Sequence, residues 1–411
     1  MTSLLTALKA YKEPRIFLFF FLGLACGIPF SLVGNTLKTW MTEGGMTLES
    51  VGYLSLILLP YSLKFLWAPA IDHVRIKGLS TKFGQKKTWG FLAQIGLMIS
   101  VLGVAASGQQ QSMIGLFFWG FLTAFFAATQ DIVVDALRID TLQKKELGEG
   151  AGTYQLGYRL GMLFSGAVLL WLSGVLDWVT GYVFTDVLIL CGMLALFFIR
   201  EPVRTRRVQT FKKMVVNPFK DFVQHNYHWG LLLAFIICYK LCNTVLGAMA
   251  YPFYIEAGFT KKAIALVSGT YGVGVTLIGI PIGGILAYRL GALKSLWYLG
   301  FVEIATSLAF MFLACAGVSL PIFLMVITFD NIVGGMGSAV FVAFLSSLCQ
   351  KEYSATQYAL LTSIMAITTS FLASLSGHLA ALLGWPLFFA TTGLFMIPAL
   401  MMLKKLMKKG F

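Results

Sequence analysis

The sequence predicts an all-α membrane protein: twelve transmembrane helices in two pseudo-symmetric six-helix halves, with the N- and C-termini cytoplasmic. Three observations carry this. Of 411 residues, 58% are hydrophobic and 12% charged, more apolar surface than a water-soluble core hides. The apolar runs continue for about twenty residues, the length of a helical span, without the short alternating segments of a barrel. Lysine and arginine also collect in alternate loops.

The spans lie near 16–40, 48–71, 89–108, 112–137, 151–175, 178–199, 229–255, 261–288, 295–316, 319–349, 355–382 and 385–403. Ile16 onward runs straight into a full-length span, so no cleavable signal peptide is expected. Lys9, Lys12 and Arg15 precede the first span; Arg75, Lys77, Lys82, Lys86 and Lys87 follow the second. Arg138, Lys144 and Lys145 follow the fourth, and Arg289, Lys294 and Lys351 follow the eighth and tenth. The tail holds Lys404, Lys405, Lys408 and Lys409. The opposite loops are nearly bare, Lys261 and Lys262 excepted. The positive-inside rule puts the basic loops in the cytoplasm, and with them the net charge of +14, so nucleic acid is not the expected partner. None of the six cysteines has CxxC spacing, which excludes a disulfide framework or metal site as the reading.

The basic cytoplasmic linker 201–228 divides the chain into a first half, 1–200, and a second, 229–411. WMTEGGMTLESVGYLS (40–55) lies over FYIEAGFTKKAIALVS (253–268): Glu43 matches Glu256, Gly45 matches Gly258, Thr47 matches Thr260 and Ser55 matches Ser268. In both, a threonine is placed to cap the next helix. LFSG (163–166) and SLSG (374–377) stand at a similar offset. A duplicated six-span unit explains both matches.

The candidate site comes from charges inside the spans, which are costly in hydrocarbon and functional by default. TQDIVVDALRID (129–140) closes a long apolar run. Asp131 and Asp135 are one turn apart on one helix face, with Gln130 beside them. Two such carboxylates resist being charged together, so they suit loading and release of a proton. Asp330 in the tenth span is a third proton-coupling candidate. Arg138 can bridge to Asp135; the competing reading is a helix-terminal salt-bridge cluster that locks the fourth span to a cytoplasmic loop. Asp140, closer to the water, reads as structural.

Cations lie near aromatic or amide groups: Lys38 with Asn35 and Trp40, Lys64 with Tyr61 and Trp67, Arg159 with Tyr158 and Gln155, Lys240 with Tyr239 and Asn243. Buried cations want an anionic substrate, and rings suit sugars or apolar groups. The plainer reading is that Lys64, Arg159 and Lys240 neutralise Asp131, Asp135 and Asp330. Asp186 and Glu303 take structural pairing roles, and His378 reads as a packing residue. Gly157 and Gly161, and the run Gly334, Gly335 and Gly337, read as packing seams. The loop 72–87, with Asp72 and Arg75, and its weaker counterpart GGILAYRLG (283–291), are read as gating segments together with Arg138.

GLACGIPFSLVGNTLKTWM (23–41), LKFLWAPAID (63–72), ATQDIVVDALRID (128–140), LGYRLGMLFSG (156–166), CYKL (238–241) and NIVGGMGSAVFVAFLSSLCQKEYSATQYALL (331–361) resemble the AmpG-type muropeptide permeases, a branch of the major facilitator superfamily. The resemblance covers nearly the whole chain. It implies a bacterial inner-membrane importer of anhydromuropeptides, driven by a proton gradient without a cofactor, in wall recycling and β-lactamase induction. It implies substrate or proton roles for Gln130, Asp131, Asp135, Lys64 and Arg159, and a chain working as a monomer. Some members extend past the twelfth span, whereas this sequence ends at KKLMKKGF. Another bulky anion, an acyl-coenzyme A or a sugar phosphate, is the alternative cargo. A membrane-embedded enzyme would need a nucleophile–base pair or metal cluster that the spans do not offer. A receptor that binds without flux is the remaining reading.

Overall fold

The computed structural model describes residues 13–46, 54–202, 211–226 and 228–409. Every element in it is helical, as hydrocarbon demands of a chain whose backbone groups must be satisfied within each span. The helices are α1 Pro14–Glu43, α2 at 54–73, α3 Gln85–Gln109, α4 Met113–Thr141, α5 Lys144–Val175, α6 Trp178–Phe198, α7 Phe211–His225, α8 Trp229–Glu256, α9 Lys261–Leu290, α10 Ala292–Ala316, α11 Leu320–Leu348, α12 Ser354–Ser374 and α13 Ser376–Lys408. Ten of these are long and apolar enough to cross a membrane: all but α2, α7 and α12. α2 is a broken run of short turns, Leu54–Leu58, Leu59–Leu63, Lys64–Leu66 and Ala68–His73, with Pro60 and Pro69 interrupting its ladder. α12 is 21 residues long but rich in serine and threonine. Gly384, at φ +68, breaks Ser376–Leu394, so the turn between the expected last two spans falls there. α7, an amphipathic helix of 15 residues, occupies what the sequence presents as a polar linker.

Side-chain caps fix several starts. Ser112 accepts from the Gly115 N–H at 3.3 Å and Thr260 from that of Ala263 at 3.2 Å. Asp177 accepts from the Thr180 N–H at 2.8 Å and from its hydroxyl, which holds the exposed carboxyl below the usual carboxylate range. Thr47, the other expected cap, lies outside the described residues.

The duplication is plainer in the fold than in the residues. α3 and α10 are both 25 residues long, α4 and α11 both 29. Each pair starts and ends at a constant step of 207 positions. α3 starts behind Gly84 at φ +98 and α10 behind Gly291 at φ +81, a left-handed backbone that favours glycine. α4 and α11 both run into a three-residue 3-10 turn behind a glutamine, Gln143 and Gln350.

The chain forms two compact units, one of Lys9–Phe222 with Ser346–Ser363, the other built on Val223–Leu345 and Ile364–Phe411. The first thus takes in a short segment that the sequence division at 201–228 assigns to the second half. In it, α1 and α5 touch backbone to backbone. A Cβ at Gly23 or Gly27 would meet the carbonyls of Tyr154 or Tyr158, and one at Gly157 or Gly161 those of Phe20 or Leu24. The expected seam at Gly157 and Gly161 is therefore real. The second unit has an aromatic core of Phe253, Tyr254, Phe310, Phe323, Phe388 and Phe389. There Gly335 packs on the Thr276 carbonyl of α9, while a Cβ at Gly334 would meet nothing within 4 Å, so the second expected seam is only partly one.

Candidate functional site

α4 carries the centre of the site. From Ala127 to Asp140 it is buried throughout, including Gln130 at 1%, Asp131 at 6%, Asp135 at 5% and Arg138 at 0% exposure. One face of α4 looks toward Cys26 of α1, Tyr61 and Lys64 of α2, and Tyr154 and Tyr158 of α5, all within electrostatic reach of Asp131. Gln130 donates its side-chain amide to the Cys26 sulfur at 3.3 Å, which brings the Cys26 thiol close to Asp131. The Asp131 Oδ1, the Gln130 Oε1 and the Tyr61 hydroxyl are buried with no hydrogen-bond partner among the described residues. Such unmet polar atoms in a dry interior are costly unless something visits them.

Asp135 differs from Asp131 in having a firm partner. The Arg138 Nη2 donates to its Oδ1 at 2.8 Å and to the Ser346 hydroxyl at 3.3 Å. The guanidinium lies over the Tyr154 ring at 4.7 Å and the Tyr358 ring at 5.4 Å. Arg138 is thus the counter-ion of Asp135, in place of the span cations of the neutralisation reading. Lys64 is buried and its charge acts on Asp131, but among the described residues it has no hydrogen bond or ion pair. Arg159 likewise has none, and it is exposed.

A second buried network closes the end of α4. The Lys86 ammonium donates to Asp140 Oδ2 at 2.8 Å and to the Ser354 hydroxyl at 2.6 Å, and lies 3.3 Å from Asp72 Oδ1. Ser354 donates in turn to Asp140 at 2.8 Å. Asp72 accepts from the Thr356 N–H and hydroxyl, each at 2.8 Å, in the first turn of α12, where a negative charge suits the helix dipole. Lys86, Ser354 and Thr356 were not singled out in the sequence. Lys86 counts there as a loop charge, because the expected third span starts at 89, whereas α3 begins at Gln85 and buries it. Arg75, the other gating candidate, is exposed.

The remaining candidates separate into two groups. Asn35 is exposed within a π-helical turn of α1, Leu32–Thr36, and lines an opening of about 400 Å³ with Lys38, Thr39, Thr42 and Glu43. Trp40, by contrast, is packed: it stacks on Trp178 at 5.5 Å and meets Gly108. In the second unit Tyr239 is buried against Phe235 and Phe341 and donates to the Leu296 carbonyl at 3.3 Å. Trp40 and Tyr239 therefore hold helices together here. Lys240 lies over the Phe341 ring at 4.8 Å. Asn243 donates to Glu303 Oε1 at 3.0 Å, which gives Glu303 the pairing expected of it, while its Oε2 has no partner. Asp330 is half-buried. Asp186 does not pair: both its oxygens are buried without a hydrogen bond among the described residues. His378, expected to pack, is exposed. No group of three or more His, Cys, Asp or Glu among the described residues could hold a metal.

The model of the Major Facilitator Superfamily matches residues 19–260. Over 409 residues the chain is 34% identical to the putative transporter AmpG 4 of Rickettsia felis, covering 98% of each. Over 401 residues it is 33% identical to the anhydromuropeptide permease of Escherichia coli K12, covering 96% of this chain and 80% of the other. Among solved structures it is similar to the fucose:proton symporter of E. coli, with a TM-score of 0.71, 13% identity, and 96% and 99% of the two chains covered. The human organic anion transporter MFSD10 gives 0.72 at 14% identity, with 95% and 99% covered.

Proposed function

The chain belongs to the major facilitator superfamily, and on that premise we propose that it imports anhydromuropeptides across the bacterial inner membrane together with protons. It is a multi-pass membrane transporter and not an enzyme, in keeping with relatives named as permeases and transporters. The cargo is N-acetylglucosaminyl-anhydro-N-acetylmuramic acid and its peptides, bulky anions. Twelve spans with both termini in the cytoplasm, and a working monomer, complete the reading.

One observation carries it: Asp131 is buried with an unpartnered oxygen, beside the charge of Lys64 and one turn from the paired Asp135. Asp131 loads the proton, and Asp135 shares it when Arg138 changes partner. Asp330 is a further carboxylate for proton coupling, and Glu303 stays a structural partner of Asn243. Lys64, Arg159, Lys38, Lys240, Asn35, Tyr61, Tyr158, Gln130 and Asn243 supply cations, amides and rings to the substrate. Opening of the network Asp72–Lys86–Asp140–Ser354 is the gating step of alternating access.

Uptake of radiolabelled anhydro-disaccharide and anhydro-tripeptide into proteoliposomes, with and without an inward proton gradient, tests this. Gradient-driven accumulation is the expected result. Flux indifferent to the gradient would return the α4 carboxylates to structure. Uptake of an acyl-coenzyme A or a sugar phosphate, without muropeptide flux, would transfer the function to the alternative cargo.

A further inference from the structure

Between α2 and α3 the chain makes one short turn of helix, Leu79–Phe83, with unlike surfaces on its two sides. On one side is a basin of about 540 Å³ whose charged lining is Arg75, Lys77, Lys82, Lys86, Asp140 and Glu201. Both acids are already engaged. Glu201 accepts from the Lys86 and Lys87 N–H groups at 3.0 Å each, and Asp140 from Lys86 and Ser354. Lys77 and Lys82 are exposed and have no hydrogen bond or ion pair among the described residues. The basin therefore presents unspent positive charge.

On the other side is an apolar groove of about 300 Å³, walled by Leu79, Phe83, Phe91, Leu92, Ile95 and Phe197, with Thr88 among them and its hydroxyl donated to the Gly84 carbonyl. Leu92, Ile95 and Phe197 are exposed on the flanks of α3 and α6, two helices that pack together inside one unit. The two openings share one wall, Phe83, and the Lys82 ammonium sits over its ring at 5.4 Å. A cation thus marks the line where the polar basin becomes the apolar groove.

We propose that this turn holds one anionic phospholipid, its phosphate in the basin at Lys77 and Lys82 and an acyl chain along the groove past Phe83 to Phe197. Charge complementarity selects the headgroup, since basic side chains at the edge of a span attract anionic lipid. The contiguous groove selects a lipid over a free phosphate, because only a molecule with a hydrocarbon chain fills both openings. The turn would then be braced by the leaflet it touches, at the start of the helix that carries Lys86.

The test uses the full chain purified in mild detergent, with lipid retention read by native mass spectrometry. Dioctanoyl-phosphatidylglycerol should be retained about tenfold better than dioctanoyl-phosphatidylcholine. Lys77→Gln with Lys82→Gln should bring that ratio to about one, and these exposed substitutions leave the fold intact. Ile95→Trp, which fills the groove, should weaken retention of both lipids. Glycerol 1-phosphate at the same concentration should not displace the bound lipid. Equal retention of the two lipids by the natural chain, a preference that survives the double substitution, or full displacement by glycerol 1-phosphate would each overturn the proposal.

Discussion

α4 and α11 are the same helix built twice, with different contents. Each has 29 residues and each ends in a 3-10 turn behind a glutamine. At the constant step of 207, Asp131 stands where α11 has Ser338, Asp135 where it has Val342 and Arg138 where it has Leu345. The fold does not need the charges, since the same length and the same turn form without them. What the pair teaches is a separation of causes: bilayer thickness and caps set the helix, while the buried ion pair must be kept for another reason.

The sharpest way to break the comparison is at Asp131. Asp131→Asn should reduce gradient-driven uptake to that of empty liposomes while the protein still inserts; Ser338→Ala, at the matching position, should stay within about twofold of the natural chain. Wild-type accumulation by Asp131→Asn would make the two helices equivalent after all. Next comes Arg138→Leu, which copies α11 at one position and leaves Asp135 buried and unpaired. Its expected cost is about 3–5 kcal/mol, read as a shift in the denaturation midpoint in detergent. Asp135→Val added to it copies α11 twice and should recover most of that loss; no recovery would mean the packing, and not the stranded charge, was damaged.

A smaller effect separates the glycine seams. Gly157→Ala forces a methyl onto the Phe20 carbonyl and should cost about 1–3 kcal/mol, whereas Gly334→Ala meets open space and should gain up to about 1 kcal/mol of helix propensity. The smallest shift belongs to Glu303→Gln, which keeps the shape beside Asn243 and should cost about 1 kcal/mol in the same melt. A loss of uptake as complete as that of Asp131→Asn would put the two acids in one mechanism.

Much of this was legible in the residue string. Most helix positions agree within a few residues, because continuous apolar runs leave hydrocarbon no other solution; the second span is instead a broken run of turns, and the last two divide at other residues than expected. The i, i+3 spacing of Asp135 and Arg138 shows their pairing directly, and the seam at Gly157 and Gly161 is visible as GxxxG. The second network was not legible. Lys86, Asp72, Asp140 and Ser354 lie in three separate stretches, and each alone looks like a solvated loop charge or a cap. Cys26 was also missed, since a lone apolar-run cysteine carries no signal that Gln130 and Asp131 sit across from it. Trp40 and Tyr239 show the converse: a ring beside a cation reads as a binding surface, and only the structure shows it stacked on a neighbour, Trp178 or Phe341.

By itself, then, the sequence determined that the chain is a duplicated array of apolar helices and which acids lie inside them. Those are properties of local composition set against a membrane, and one dimension suffices to read them. Only the tertiary structure decided that Asp135 is paired while Asp131 keeps an unmet oxygen, and that Ser346–Ser363 packs with the first unit's charges. Pairing in a low dielectric depends on angstrom distances between helices far apart in number, and no spacing along the chain encodes those.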